Sequence, residues 1–329
     1  MKEHEIRPMG IFEQYLELSR KDAEIFFDTN NRKTIPCPAC FSEKYAPAFS
    51  KQGFDYAECV QCSTLFMSPR PSLSQFEKFY VNSQSSEFWA KVFFPAVAEP
   101  RRIKIFKPRV QKILEFCKAK GLRPETALDV GAGFGIFLEE LQKKQPKVQI
   151  SGIEPSPILA EACREKGIEI LETIAEKATS WKEKADLLTC FEVIEHVHNP
   201  LLFVKSLFSL LKNSGIVVVS GLSGQGFDIL TLWKNSKSIA PPHHINFLSI
   251  KGFEILFKNA GFEDIEIVTP GKLDVDIVLN SIQEDPSINI GRFAKLLLEK
   301  NENVLNDFQN FLAENQLSSH CWILARKPA

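Results

Sequence analysis

Ala127-Leu-Asp129-Val-Gly131-Ala132-Gly133-Phe-Gly135-Ile-Phe-Leu138 decides how the chain is read. A short apolar run ends in a glycine turn, and the turn opens an amphipathic stretch, so the segment predicts strand, tight loop, helix. Glycines at this place allow positive φ and let backbone amides approach a ligand closely. Their spacing selects the ligand. A dinucleotide loop reads G-x-G-x-x-G and sets a pyrophosphate on the helix N-terminus. Here the order is G-x-G-x-G with Asp129 two residues ahead, which suits a ligand that carries an ammonium and no phosphate at that point. The next apolar run ends Gly152-Ile-Glu154-Pro155. An acid at that strand end suits a ribose diol, each charged hydrogen bond being worth roughly 1.5–3 kcal/mol.

Outward from this loop, Ala127–Val130, Val148–Ile153, Ala185–Phe191 and Gly215–Ser220 read as strands. Helical stretches lie between them near 135–144, 157–166 and 200–212. Such alternation predicts an α/β fold, a Rossmann-like parallel sheet with helices on both faces. Pro108 opens a helix that carries Val110, Ile113, Leu114 and Cys117 on one face and stops at Gly121. A further strand is expected over 262–269, helices over 289–300 and 302–316, and a closing strand over 319–326. Ahead of the sheet, 8–30 predicts one or two short amphipathic helices. The expected division is an N-terminal helical segment (1–33), a cysteine module (34–71), a helical connector (72–107) and a catalytic domain (108–329).

The 329 residues carry 40 Lys+Arg against 41 Asp+Glu, a net charge of −1, with 44% hydrophobic and 25% charged residues. That balance excludes a disordered or fibrous chain and a surface that is one large anion trap. The length suits about two domains. Met1–Glu5 has no apolar core of a secretory signal, and the purest apolar run, Ile216–Val219, is far below the roughly 18 residues of a membrane span. The expected address is cytoplasmic, where the eight cysteines stay reduced.

Four of those cysteines are paired: Cys37-Pro-Ala-Cys40, then Cys59-Val-Gln-Cys62 after 18 intervening residues. C-x2-C-x18-C-x2-C lies within the spacing window of a four-thiolate zinc site, each knuckle aiming two sulfurs at one point. Four protein thiolates leave no position open for water, so the expected Zn2+ is structural. Cys117, Cys163, Cys190 and Cys321 lie on apolar faces and read as buried thiols.

From about residue 108 onward the chain resembles the class I S-adenosylmethionine-dependent methyltransferases. Asp129-Val-Gly131-Ala132-Gly133-Phe-Gly135 resembles the loop that cradles the methionine end of the cofactor. Glu154, with Pro155, stands where that family binds the ribose hydroxyls. Asp186-Leu-Leu-Thr-Cys-Phe191-Glu192-Val-Ile-Glu-His196-Val resembles its fourth-strand motif. The resemblance implies Phe191 and Glu192 near the methyl donor and Thr173 and Ile174 near the adenine. It implies a methyltransferase using S-adenosylmethionine.

For the acceptor, the sequence lacks the Asn-Pro-Pro-aromatic tetrad of amino methylases of nucleobases, and it lacks a Pro-Cys nucleophile pair after the fourth strand. Histidines are offered instead: His196, expected at a helix start, and the pair His243-His244 before the helix at 251–260. An imidazole is well matched to accepting a proton at neutral pH. His244 is the first choice of base and His196 the second, with His243 beside them. The arrangement also resembles zinc-containing methyltransferases of surface-polysaccharide and deoxysugar pathways. Their two histidine positions match His196 and His244, and His243 stands where they have a glutamate. That resemblance implies a small, sugar-containing acceptor on a nucleotide or lipid carrier. Residues 91–123 hold ten Lys+Arg against two Glu. This stretch reads as a solvated helix face, as a wall for a phosphate handle, or as a grip on RNA in an RNA methyltransferase. A protein that binds S-adenosylmethionine without catalysis is the third reading.

Overall fold

A computed structural model describes residues 1–329. The chain divides into two compact units. One holds Met1–Ser85, Gly221–Glu254 and Ile267–Trp322, the other Ser86–Ser220, Ile255–Glu266 and Ile323–Ala329.

A seven-stranded sheet carries the order Glu263–Val268, His320–Arg326, Leu211–Leu222, Ala185–Phe191, Thr126–Val130, Gln149–Ile153, Glu169–Leu171. Thr126–Val130 pairs in parallel with both of its neighbours, so Asp129 stands opposite Gly152 on one side and Thr189 on the other. Leu128, Val130, Leu187, Leu188, Val217 and Val218 are buried, as expected of strands covered on both faces. The chain steps outward from Thr126–Val130 to Gln149–Ile153 and Glu169–Leu171, then returns to lay Ala185–Phe191 on the opposite side. This reversal makes the C-terminal ends of Thr126–Val130 and Ala185–Phe191 the topological switch point, where open α/β sheets bind ligands.

Helices Ile136–Lys144, Pro157–Arg164 and Pro200–Leu210 lie where the periodicity predicts them. The strand expected over 215–220 is longer, Leu211–Leu222, with a register shift between Leu211 and Ile216. Gly215 sits at that irregularity, where a Cβ would press on Leu211 and on the Lys212 carbonyl at 2.8 Å. Before the sheet, residues 84–119 are almost continuously helical, with two wider turns at Trp89–Phe93 and Arg102–Phe106. Pro95, Pro100 and Pro108 each remove an amide donor along this stretch, and such helices relieve the loss by widening.

In the other unit, 8–30 forms a single helix, Met9–Phe26. A four-stranded antiparallel sheet follows, ordered Asn246–Phe247, Leu65–Met67, Phe54–Cys59, Tyr45–Lys51. Its core contains Phe27, Phe54, Phe76, Phe79 and Phe247. The Phe27 ring meets Phe54, Phe76 and Phe79 edge-on or tilted at 4.9–5.6 Å. Part of the heavy phenylalanine usage is therefore packing in this unit. A second cluster joins Val275 and Val278 of helix Asp274–Glu284 to Leu298 and Leu312 of the last two helices, Arg292–Leu298 and Glu302–Glu314. No helix is long and apolar enough to cross a membrane.

Candidate cofactor and metal sites

The glycine loop begins where Thr126–Val130 ends. Gly131, Gly133 and Gly135 all have positive φ (74°, 55° and 70°). Gly131 donates its amide to the Ile153 carbonyl at 2.8 Å, which ties the turn to the neighbouring strand, and Ala132 donates to the same carbonyl. A Cβ at Gly131 would lie 2.6 Å from Val193, and one at Gly135 would lie 2.7 Å from Ile168. Gly133 differs, since a Cβ there meets nothing within 4 Å. A Cβ at the first and third glycines would thus press on a neighbouring side chain, while the middle one faces open space.

Two carboxylates frame this loop. Asp129, 2% exposed, accepts a hydrogen bond from the Thr189 hydroxyl at 2.7 Å. Glu154, 5% exposed, accepts from the amides of Gly133 (2.8 Å) and Ser156 (2.9 Å). Burial pushes the Asp129 carboxyl up to about 8; the Thr189 hydroxyl and the charge of Arg109 lower it, and Glu154 raises it. Burial also raises Glu154, against the pull of its two amides. Two acids held out of water at the ends of neighbouring strands favour a cationic or hydrogen-bond-donating ligand, because such a ligand returns what desolvation removed.

The fourth-strand motif lies beside them. Phe191 ends its strand with its ring 4.8 Å from Phe137 and 4.2 Å from the Arg109 guanidinium. Glu192 adopts φ 55°, uncommon for a residue with a Cβ, and accepts from the Ser220 hydroxyl at 2.5 Å, with Arg109 3.7 Å away. Glu195 is buried, its carboxyl raised well above the usual range by burial and then by Glu192. His196 lies in the turn between strand and helix, its amide bonded to the Val193 carbonyl at 2.9 Å. The helix expected to begin at His196 begins at Pro200 instead, capped by Asn199, whose side chain accepts from the Leu202 amide. Thr173 is half-buried and Ile174 exposed, after the strand Glu169–Leu171.

Arg109 and Thr189 carry geometry that sequence reading missed. Thr189 is one position inside an apolar strand, and no spacing or motif marks it. Arg109 was counted in the basic run, yet it is buried against Phe191. Arg102 of the same run is bound by Glu139, Glu140 and Glu99, and Lys120 by Asp264. Arg102, Arg109 and Lys120, three of the ten cations in 91–123, are thus engaged within the protein.

The other unit holds His243 and His244. His243 departs from expectation: it is 4% exposed, with its ring packed on Phe79 (4.8 Å), Tyr15 (5.4 Å) and Tyr80 (6.1 Å), and Ser85 lies 3.4 Å from Nε2. Burial, and then the neighbouring His244, lowers its pKa to about 3. A ring so far from water resists taking a proton, so His243 is a packing residue and not a base. His244 is half-buried, and its Nδ1 is 2.6 Å from the Ser238 carbonyl. A carbonyl only accepts, so Nδ1 carries a hydrogen; in the neutral ring Nε2 then carries the lone pair.

The Sγ atoms of Cys37, Cys40, Cys59 and Cys62 lie within 4.8 Å of one another. Cys37 and Cys62 are 3.6 Å apart, and Cys40 and Cys59 3.5 Å. A tetrahedral zinc with sulfurs at about 2.3 Å needs sulfur–sulfur edges of roughly 3.8 Å, so the donor set and its spacing fit that ion. Their crowding splits one pair, since the hydrogen bond they share drives Cys37 up and Cys62 down to about 4. Cys117, Cys163, Cys190 and Cys321 are buried thiols.

Known proteins resemble this chain in sequence and in fold. Ubiquinone biosynthesis O-methyltransferases match part of the chain. That of Histophilus somni is 35% identical over 117 residues, covering 32% of this chain and 48% of that protein. That of Escherichia coli O127:H6 is 33% identical over 114 residues, covering 33% and 48%. The chain thus spans about half the length of the curated relatives it matches. Among solved structures, the plantazolicin methyltransferase BamL in complex with a triazolic desmethylPZN analog and SAH superposes with a TM-score of 0.51 at 14% identity, covering 78% of this chain and 95% of that one. Phosphoethanolamine N-methyltransferase 2 of Haemonchus contortus, in complex with S-adenosyl-L-methionine, gives 0.50 at 17% identity, covering 74% and 60%. At these identities the likeness shows the fold alone, the Rossmann-like fold of class I S-adenosylmethionine-dependent methyltransferases. The family model described as a methyltransferase domain matches residues 101–267, half of the chain, and the protein belongs to that family.

Proposed function

We propose that the protein is an S-adenosylmethionine-dependent methyltransferase acting on a small molecule, with an oxygen acceptor and a histidine base. One observation carries this reading: Asp129 and Glu154, both buried, flank a glycine loop at the switch point, with Gly133 open beside them. Asp129 and the backbone of Gly131, Ala132, Gly133 and Gly135 would hold the amino-acid end of the cofactor, and Glu154 with Pro155 the ribose. Thr173 and Ile174 would border the adenine, and Phe191 and Glu192 the sulfonium. When bound, the cofactor supplies an electrophilic methyl group. The acceptor oxygen gains that methyl as the carbon–sulfur bond breaks, and its proton leaves to a base. His244 is that base through Nε2, with His196 the second candidate.

An oxygen acceptor is supported by the names of the ubiquinone biosynthesis relatives, and a sugar-containing acceptor by the likeness of the cysteine module and histidine pair to polysaccharide-pathway enzymes. The family match leaves the cysteine module outside its span. The division into 1–33, 34–71, 72–107 and 108–329 belongs to this proposal, as does a structural Zn2+ on Cys37, Cys40, Cys59 and Cys62, whose four thiolates leave no position for substrate.

The test is incubation of purified protein with methyl-labelled S-adenosylmethionine and a cell extract, separating nucleotide-sugars, lipids, RNA and protein. Label in a small-molecule or lipid fraction, absent with Glu154→Ala, is the expected result. Label in RNA overturns the acceptor class, and cofactor affinity unchanged by Glu154→Ala overturns the cofactor site.

A further inference from the structure

We infer that the four-cysteine module positions the base: zinc on Cys37, Cys40, Cys59 and Cys62 orders the segment that carries His244. The inference rests on the proposed zinc site and on His244 as base, and it gives the module a task in the reaction that closed coordination would otherwise deny it.

The argument starts from the module's sheet, which 34–71 does not complete. Its edge strand is Asn246–Phe247, about 180 residues later in the chain, with Asn246 opposite Phe66 and Phe247 opposite Leu65. The Met67 amide donates to the Ile245 carbonyl at 2.9 Å. The buried Arg70 side chain donates to the same carbonyl (3.2 Å) and to the Asn246 side chain (2.7 Å). Tyr56, on the strand that ends in Cys59, donates its hydroxyl to the His244 carbonyl at 2.7 Å. The carbonyls of His244 and Ile245 and the strand that follows are thus held by the module, while the His244 amide donates to the Ala240 carbonyl at 3.0 Å.

A second line of contacts leads to the metal knuckle itself. Ser249 donates its hydroxyl to the Cys62 carbonyl, and its amide donates to the Thr64 hydroxyl at 3.3 Å. Cys62 Sγ lies 3.3 Å from that same hydroxyl. Ser249 also caps the following helix, accepting from the Gly252 amide at 2.8 Å. At Gly252 a Cβ would lie 2.5 Å from the Thr64 hydroxyl and 3.1 Å from Ala39, inside the first knuckle, so only glycine lets the helix approach this closely. Lys251 donates to the Gln61 carbonyl between the two cysteines of the second knuckle.

Residues 244–252 are therefore anchored at one end to the strand before Cys59 and at the other to the turn Cys59–Cys62. A knuckle that closes only on metal would lose its grip on Ser249 when the metal leaves. The Ser238 carbonyl that the His244 ring meets lies just ahead of this segment, six residues before the ring it orients. Tyr56, Thr64 and Ser249 are, on this account, positioning residues.

Hydrogen exchange on the full chain tests this directly, with zinc bound and after its removal by a chelator, with metal content measured in parallel. The amides of 240–249 should lose about tenfold or more in protection on metal release, while those of Thr126–Val130 stay unchanged. Tyr56→Phe is the milder variant: it should retain one zinc per chain and lower kcat with the KM for S-adenosylmethionine unchanged. The nitrogen resonances of the His244 ring should also leave the Nδ1–H pattern. Unchanged protection of 240–249 on metal loss, or an unchanged His244 signature in Tyr56→Phe, overturns the inference, and so does a chain that binds no zinc. Methyl transfer surviving in His244→Ala while metal still controls protection would overturn the base reading and leave the coupling standing.

Discussion

Each unit of the molecule buries an aspartate whose carboxyl is pushed up to about 8, and the two differ in their surroundings. Asp129 receives one hydroxyl, from Thr189, and stands before a loop whose central glycine faces open space. Asp228 is fully buried, raised first by burial and then by Asp274, whose own carboxylate is answered by Ser318, Ser319 and Gln309. Around that second pair the glycines leave no room: a Cβ at Gly226 would overlap Ser319, and one at Gly271 would overlap Ser318. The energetic signature is the same, so a displaced pKa does not by itself mark a ligand site. Space to admit a counter-charge does.

Substitutions at the glycines should separate the two most strongly. Gly226→Ala forces a methyl into the backbone of Ser319 and should cost about 3 kcal/mol of stability in a denaturant titration. Gly133→Ala meets no neighbour but must hold φ 55°, so a loss of about 1 kcal/mol is expected, with S-adenosylmethionine affinity falling further than stability. Equal losses at the two positions would erase the distinction.

The pH dependence comes next in size. A carboxyl raised from 3.8 to about 8 binds a proton in the folded chain that the unfolded chain has released. Between roughly pH 4 and 8 its contribution to stability is therefore lost as pH rises. Asp228→Asn should flatten that decline in thermal melts, with or without cofactor. For Asp129 the cofactor's ammonium should drive the proton off. Binding near pH 7 should then release close to one proton, measured by calorimetry in buffers of different ionisation heat. That release should vanish in Asp129→Asn and persist in Asp228→Asn. The smallest effect belongs to Thr189→Val, which removes the hydroxyl from Asp129 and should weaken cofactor binding by about 1 kcal/mol. No change there would mean that the hydroxyl only fills the strand.

Both local patterns were legible because each is written in consecutive residues. The strand–glycine–helix turn and the acid at the next strand end need only spacing, and so do two knuckles of two cysteines. Legibility failed where a residue's meaning depends on what another segment brings to it. Arg109 reads as one more surface cation until the Phe191 ring is laid against it. His243 reads as a candidate base until Tyr15, Phe79 and Tyr80 close around it. The shift of the helix start from His196 to Pro200 has a local cause, the Asn199 cap followed by proline.

The sequence by itself determined the parallel strands around Thr126–Val130, the loop that ends that strand, and the four thiols that suit one metal. Periodicity and short spacings dictate backbone conformation over ten or so residues without help from elsewhere. Only the tertiary structure decided which buried acid is packed in by close-fitting glycines, which histidine is sealed among aromatic rings, and that Asn246–Phe247 completes the cysteine module's sheet. Those are outcomes of desolvation and of hydrogen bonding between segments more than a hundred residues apart, and no local pattern records which segments will meet.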